Sequence, residues 1–596
     1  MHLNRSLDVA LEAARIGGEI LSAEFHRPGG PRGAGDKAEA DVVAETAIKQ
    51  VLLAAFPRYG YLGEETGRVS GEAGEAVWLV DPNDGTRDYL KGSRGSAVSI
   101  GLLEGRRPVL GVVFAFGYPD DRGDLFAWAA GMDLLQRNGH SVETPLPTGL
   151  TSDGVVLLSR TSERDPEGSL RSTEPARYRS LPSIAHRLAL VASGEAAATV
   201  ALYSPGAWDY GAGQALLRAG EGVVVNEAGH EVLYGADGAS QTRRAFGGAS
   251  AVVADLASRQ WRAASPSPDL EEPPAHLRPG EAVRDPGLLS RAQGCLLGQV
   301  AGDSLGALVA SKTSREIAQD HPGGPRLLAD GGETLAGQPT DDGEMALTLA
   351  RSILGSGGYD GEAVLSAYRR WYRSGPLDVA QTTRAALVGY FMASSLANSS
   401  LARVSPLGIF GHSLAPEAAA ALGRADSALT HPNPVCQDAV AAFVVALSHA
   451  VRAGDGPRSA YEAARGWAEQ PRVEAPVRDA IRAAALSAPD CDGAERGSVL
   501  TALRNAFFEL LHAPSLEAGV VATVQRGGEA DVNAAVAGAL LGAVHGRDAV
   551  PAQWRKMILS CRAHPARAPR PRPRACWPVD ILELAERLAL AGLAKR

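Results

Sequence analysis

The chain has 596 residues, more than one hydrophobic core usually serves, so at least two domains are expected. A formal net charge of -9 gives nonspecific nucleic-acid binding little electrostatic support. No apolar run approaches the roughly 18 residues that span a bilayer, and no secretory segment precedes the first helical pattern, so a cytoplasmic protein without a membrane partner is expected.

Leu7, Ala10, Leu11 and Ala14 recur at helical spacing and open the chain with an amphipathic helix. Tyr61-Leu62 reads as a strand that sets the adjacent carboxylates Glu64 and Glu65 at its end. The apolar run Val77 to Val80 reads as a buried strand ending at Asp81, with Asp84 three residues on and Gly85-Thr86 turning the backbone. Two carboxylates, a hydroxyl and backbone amides at a strand mouth suit a hard divalent cation such as Mg2+ shared with a phosphate. The same Asp-Pro-Asn-Asp-Gly run would also make a good surface turn. Val-rich runs follow at Ala97 to Leu103, Val109 to Phe116, Leu125 to Ala130 and Ala197 to Tyr203. Trp208-Asp209 opens an Ala/Gly-rich helical segment, Tyr210 to Gly220, where the macrodipole alone would favour a carboxylate in the first turn. Ala264 to Ala275 then turns Pro-rich and polar, giving a first domain at 1–262, a linker at 263–286 and a second domain at 287–596.

In this order, Gly63-Glu64-Glu65, Trp78 to Thr86, Trp208-Asp209 and Val223 to Gly229 resemble the inositol monophosphatase family of Mg2+-dependent phosphomonoesterases, over about residues 5 to 260. The resemblance implies an α+β layered sandwich acting on a small-molecule phosphate ester, and a homodimer. It implies that Asp81 bridges two metal ions, with Glu64 and the Asn83 carbonyl completing one and Asp84 with Asp209 the other. Gly85 and Thr86 would hold the phosphate through backbone amides. Glu64, Thr86 and Asp84 would carry catalysis, an in-line attack by a metal-bound water. Two positions depart from the family. Its D-x-V-T-x-x-D segment ends in an aspartate that supports the water-orienting threonine, whereas here Asp41-Val-Val-Ala-Glu-Thr-Ala47 ends in alanine, and helical spacing points Glu45 elsewhere. Inositol-specific members carry a glutamate seven residues before the Trp-Asp aspartate, where this chain has Leu202, so myo-inositol phosphate is not the expected substrate.

Beyond the linker the sequence is Ala/Leu-rich with helical period, so an all-α half without solenoid repeats is expected. All five cysteines lie here with no pair at zinc-ligand spacing, and they read as reduced, buried thiols. Gln293 to Gly306 concentrates glycines within one helix, where each costs roughly 1 kcal/mol against alanine. A close helix–helix contact explains such a run better than a closely approaching ligand. Thr340-Asp341-Asp342-Gly343-Glu344-Met345 opens the apolar stretch Met345 to Leu354 and would also serve as simple capping. Arg403 to Gly408, Leu429 to Asn433, and Gly527-Gly528-Glu529-Ala530-Asp531-Val532-Asn533 follow, the last preceding a helix at Ala534 to Val544. Arg562 to Arg574, rich in Arg and Pro, reads as a surface loop over the last helix rather than an RNA-binding arm.

This second series resembles the ADP-ribosylglycohydrolase family over about residues 288 to 594. That resemblance implies an all-α fold with two Mg2+ ions in a cleft and hydrolysis of the bond joining ADP-ribose to a side chain or small acceptor. Thr340, Asp341 and Asp342 would ligate from one side, and Glu529 and Asp531 from the other. His431 enters the site on the resemblance alone. The family's G-G-D-x-D-T segment is altered here, since its first aspartate is Glu529 and its threonine is Val532, and Gly343 stands where Thr or Ser is usual. Two readings stay open for this half: an active hydrolase on ADP-ribosylated protein or metabolite, or a degenerate domain that binds ADP-ribose or a nucleotide. The whole chain is expected to be a bifunctional Mg2+-dependent hydrolase, with a non-catalytic metabolite sensor as the alternative.

Overall fold

The computed structural model describes residues 2–143, 145–261 and 277–594. It divides into two compact units, Met1–Arg284 and Asp285–Arg596. Of the expected linker at 263–286, residues 263–276 lie outside the described residues. Leu277 and Val283 are buried, and the Asp285 carboxylate accepts from the amides of Gly287 and Leu288 to cap the next helix.

The principal elements of the first unit are α1 (His2–Phe25), α2 (Glu39–Ala55), β1 (Gly60–Gly63), β2 (Gly67–Val69), β3 (Val77–Asp84), α3 (Thr86–Tyr89), β4 (Ala97–Glu104), β5 (Arg107–Ala115), β6 (Asp124–Ala129), β7 (Leu135–Arg137), β8 (His140–Val142), β9 (Val155–Leu158), β10 (Arg177–Ser180), α4 (Ile184–Ala192), β11 (Ala198–Ala201), α5 (Ala207–Arg218), β12 (Val223–Asn226) and β13 (Ala245–Gly248). An eight-stranded sheet has the order β8-β7-β6-β5-β4-β3-β1-β2, and a five-stranded sheet the order β10-β9-β11-β13-β12. Period-two alternation sorts each strand's side chains between two cores. Trp78 and Val80 pack with α1 and α2 on one face, and Leu79 packs with α4 and α5 on the other. The far side of the five-stranded sheet closes over Val156, Leu158, Val200 and Phe246. The result is the expected α+β sandwich of alternating helix and sheet layers.

Among its described residues the second unit is built of helices, with no strand beyond isolated bridges. Four of these helices matter for function: α6 (Pro286–Ala307), α7 (Asp341–Ser356), α8 (Pro434–Ala453) and α9 (Ala530–His545). Gly294, Gly298, Gly302 and Gly306 recur every four residues and line one stripe of α6. A Cβ on Gly298 would sit 2.1 Å from the Gly538 carbonyl oxygen, and one on Gly542 would sit 1.9 Å from that of Gly294. Backbone therefore meets backbone along α6 and α9, and helix contact accounts for the glycine run. At the end of the seam, a Cβ on Gly306 would lie 2.4 Å from Asp531 Cα.

Two expectations need correcting. Helix α8 has 20 residues and a mean hydropathy of 1.5, enough by length and composition to cross a membrane, although 78% of that window is buried inside the unit as a core helix would be. The Arg562–Arg574 run is not a surface loop throughout, because Arg562 and Arg572 are buried. Arg572 forms a bidentate pair with Glu344 of α7, at 2.7 Å for both bonds, and also donates to the carbonyls of Ser374 and Gly375. All five cysteines are free and buried.

Because the α6–α9 seam leaves no room for a side chain, Gly538→Ala should destabilise the second unit by about 2 kcal/mol or more. Thermal unfolding of the full chain checks this, and an unchanged midpoint would contradict the seam.

Candidate metal centres

In the first unit, strand register gathers the acidic groups. Strands β1 and β3 run parallel with Gly63 opposite Val80, and the Glu64 amide donates to the Val80 carbonyl at 3.1 Å. Glu64 thus leaves its strand beside Asp81. Between Asp81 and Asp84 the pairing of β3 with β4 shifts register, an irregularity of the kind that re-aims side chains at strand ends. Gly85 then takes φ +102, a left-handed backbone that favours glycine, before α3 begins at Thr86. Asp209 comes from the first turn of α5, where one oxygen accepts from the Gly206 amide at 2.7 Å.

The carboxylate oxygens of Glu64, Asp81 and Asp209 converge within 4.8 Å of one another, the one such trio among the described residues. Burial, with Glu64, Asp84 and Asp209 adding like charge, holds the Asp81 carboxyl well above the usual range. Burial and the charges of Asp84 and Glu64 do the same for Asp209. Glu64, exposed at the mouth but with its carboxylate toward the other two, is pushed up to about 7, mainly by desolvation. Asp84 is also raised by burial. One of its oxygens is anchored at 2.6 Å by both Ser183 Oγ and the Ala185 amide at the start of α4. Arg187, wholly buried one turn further on, is pulled down to about 10 by desolvation against the opposing pull of Asp84 and Asp209. Sequence reasoning missed both Ser183 and Arg187, since no local pattern ties them to residues about a hundred positions away.

Asn83 and Thr86 complete this centre. The Asn83 amide donates to Asp81 Oδ1 at 2.8 Å, and Thr86 Oγ1 lies 2.9 Å from the Asn83 carbonyl. The donor set is anionic and carbonyl oxygen, crowded and desolvated, which is the chemistry a hard divalent cation requires.

In the second unit Thr340, Asp341 and Asp342 open α7, and Asp531 lies in the first turn of α9. The α6–α9 seam sets Asp303 beside them. Its carboxylate takes the place of a local cap for α7, accepting from the Thr340 amide at 2.9 Å, the Thr340 hydroxyl at 2.6 Å and the Gly343 amide at 3.0 Å. A Cβ on Gly343 would meet that carboxylate at 2.5 Å, so the glycine at this position makes room for it. Burial and Asp531 push Asp303 up to about 7. Asp341 and Asp342 stand well above the usual range through burial and one another's neighbours, Asp303 and Asp531 in both cases. Asp342 Oδ2 is buried with no protein partner, an orphan acceptor that a cation would satisfy.

Glu529 is also raised, by burial and Asp531, against Arg496. Asp378 adds its charge to Asp341, Glu529 and Asp531. Sequence reasoning missed Asp378 for want of any motif around it, and passed over Asp303 although it lies inside the glycine run. Val532 supplies no oxygen. His431 is buried with hydroxyl partners, Thr430 at 2.7 Å and Ser399 at 3.2 Å, and its pKa falls to about 3 through burial and Arg403. It therefore stays neutral.

Comparison with known proteins divides the chain the same way. Residues 284–594 match the model for ADP-ribosylglycohydrolase, and residues 2–258 match that for the inositol monophosphatase family. The chain is 28% identical over 282 residues to the ADP-ribosyl-[dinitrogen reductase] glycohydrolase of Rhodospirillum rubrum, covering 45% of this chain and 90% of that one. It is 33% identical over 161 residues to a fructose-1,6-bisphosphatase/inositol-1-monophosphatase of Aquifex aeolicus, covering 26% of this chain and 58% of the relative. Among solved structures it is similar to inositol monophosphatase from Anabaena, with 26% identity and a TM-score of 0.35, covering 43% of this chain and 95% of that one.

The raised carboxyls predict how stability depends on pH. Glu64 and Asp303 reach about 7 and Asp41 about 6 when folded, all above their values in an unfolded chain. The folded chain holds protons that the unfolded chain releases, so metal-free stability is fullest at the acid end and falls as pH rises from about 4 to about 7. Thermal unfolding in chelator should show a higher midpoint near about pH 5.5 than near about pH 7.5, and Mg2+ should close most of that gap. A chelated midpoint that climbs with pH over this window would contradict the crowding.

Proposed function

We propose, for a chain that belongs to the ADP-ribosylglycohydrolase family and carries an inositol monophosphatase domain ahead of it, a metal-dependent hydrolase with two separate heads. The first head is a Mg2+-dependent phosphomonoesterase for a small sugar or nucleotide phosphate. The second releases ADP-ribose from a modified side chain or small acceptor. The convergence of Glu64, Asp81 and Asp209 is the observation that carries the first assignment.

In the phosphatase head, Asp81, Glu64, the Asn83 carbonyl, Asp84 and Asp209 would hold two or more Mg2+ ions. The ions would supply charge for the phosphoryl group and lower the pKa of the attacking water. Gly85 and Thr86 would present their amides to the phosphate, and the Thr86 hydroxyl would orient that water. Ser183 and Ala185 fix Asp84 so that its charge needs no reorganisation during reaction. Leu202 packs against the core of the five-stranded sheet and puts no carboxylate where inositol-specific members hold a sugar hydroxyl, which disfavours myo-inositol phosphate as substrate. The fusion suggests linked substrates, with both heads working on ADP-ribose or adenine-nucleotide metabolites.

In the second head, Thr340, Asp341, Asp342, Glu529 and Asp531 would hold up to two ions. A second reading is favoured specifically by Val532 and Glu529: a domain that keeps ADP-ribose or nucleotide binding and has lost turnover. Carboxylates supply most of the attraction for Mg2+, and Asp341, Asp342 and Asp531 remain beside Glu529, so the active reading is preferred.

A phosphate-release screen over sugar, inositol and nucleotide phosphates tests the first head. Release should require Mg2+, vanish in chelator and fall at least about a hundredfold in Asp84→Asn, with the protein still folded. Undiminished release in chelator would refute the assignment. For the second head, Asp342→Asn should abolish ADP-ribose release from an ADP-ribosylated arginine peptide without slowing phosphate release. Absence of ADP-ribose release from the unmutated chain would favour the binding-domain reading.

A further inference from the structure

We infer that Arg187 is a fixed counter-charge beside the phosphatase centre, which offsets the Asp84 and Asp209 carboxylates and thereby limits how tightly a divalent cation is held between them. The inference rests on the metal-centre reading of the first unit. An arginine is rarely taken wholly out of water without a carboxylate beside it, because a buried charge is costly unless something compensates it. Arg187 is 2% exposed, and the three hydrogen bonds of its guanidinium all go to neutral acceptors.

Two elements clamp that guanidinium. Nε donates to the Ser183 carbonyl at 3.1 Å, so the side chain folds back toward the N-terminal end of α4. The same end holds Asp84, through Ser183 Oγ and the Ala185 amide. Nη1 donates to the Val200 carbonyl at 2.7 Å and to Thr199 Oγ1 at 3.2 Å, both on β11. Thr199 in turn donates to the Leu157 carbonyl of β9 at 3.0 Å, which fixes the strand side of the clamp. From β11 the chain runs through Leu202 to Gly206, whose amide donates to Asp209. The cation is thus wedged between the mounting of one carboxylate and the approach to the other.

Burial lowers the pKa of Arg187, and the charges that oppose that fall belong to Asp84 and Asp209. Among the described residues no hydrogen bond or ion pair joins Arg187 to either carboxylate, so the attraction acts across a gap. The positive charge that relieves those two carboxylates also repels a divalent cation placed between them. It cannot swing away, because backbone carbonyls hold it on both sides. The centre therefore stays assembled when empty, and it releases its ion more readily than uncompensated carboxylates would. Arg187 is a positioning residue that acts through its field rather than by contact with substrate.

Mg2+ calorimetry and thermal unfolding of the full-length chain test this at about pH 8.5, where protons compete least for carboxylates. The Mg2+ heat that disappears in Asp81→Asn defines the first centre. Arg187→Gln removes the charge and keeps a donor for the carbonyls, and Arg187→Met removes both. Each should tighten Mg2+ binding at that centre at least about tenfold, by loss of a like charge. Arg187→Lys, which keeps the charge, should stay within about threefold of the unmutated chain. In chelator the Arg187→Gln midpoint should fall, and saturating Mg2+ should recover most of the loss, because bound ions then supply the missing positive charge. Unchanged or weaker Mg2+ binding in both neutral variants would overturn the assignment, as would equal tightening by Arg187→Lys. Midpoint losses of the same size with and without Mg2+ would also overturn it, since a merely structural arginine gives that result. If Asp81→Asn loses no Mg2+ heat, the metal centre beneath the inference fails instead.

Discussion

Carboxylates brought together out of water repel one another, and both halves of this chain are organised around doing so. Fixed structure forces Glu64, Asp81 and Asp209 to one point in the first unit and Asp303, Asp341, Asp342 and Asp531 to another neighbourhood in the second. Such an arrangement is stable only if protons or cations neutralise it. The folded chain answers with raised carboxyl pKa values, and a divalent cation would answer more completely. Metal affinity, pH response and hydrolytic chemistry all follow from that single electrostatic constraint.

The two units meet the constraint with unrelated backbones. In the first, parallel pairing of β1 with β3 and the register shift in β3 deliver carboxylates from strand ends, while α5 contributes Asp209 from a helix start. In the second, every carboxylate named lies on a helix or beside a helix start, and the glycine seam sets the distance between Asp303 and Asp531. A bulky residue in the seam would therefore disturb the chemistry as well as the packing. Both centres use the same supporting device: a buried carboxylate from another element accepts amide hydrogens beside the clustered acidic groups. Asp303 does this for α7, and Glu45 does it for the Glu64 loop.

Much of the first carboxylate cluster was legible because its members sit in contiguous patterns. Val77 to Thr86 carried strand, carboxylates and turn in ten residues, and Asp209 followed Trp208 at a helix start, so element type and carboxylate position could be read together. The supporting groups were not legible. Ser183 lies 99 residues from the Asp84 carboxylate that it anchors, and nothing in the immediate sequence of Ser183 or Arg187 distinguishes them from ordinary core or capping positions. Asp378 in the second unit is hidden for the same reason. The Pro/Arg run misled because composition implied exposure, whereas the pairing of Arg572 with Glu344 is a tertiary contact. Helix α8 shows the converse: its apolar composition would suit a bilayer, and a helical core uses it instead.

The central claim is that these converged carboxylates are cation sites rather than proton-neutralised clusters. Anomalous diffraction from crystals of the full chain soaked in Mn2+, a scatterer that takes the same oxygen ligands as Mg2+, addresses it most directly. The account predicts strong peaks among Glu64, Asp81 and Asp209 and a peak among Thr340, Asp341, Asp342 and Asp531. Carboxylates seen at both places with no anomalous density between them, near neutral pH and with excess Mn2+, would contradict it.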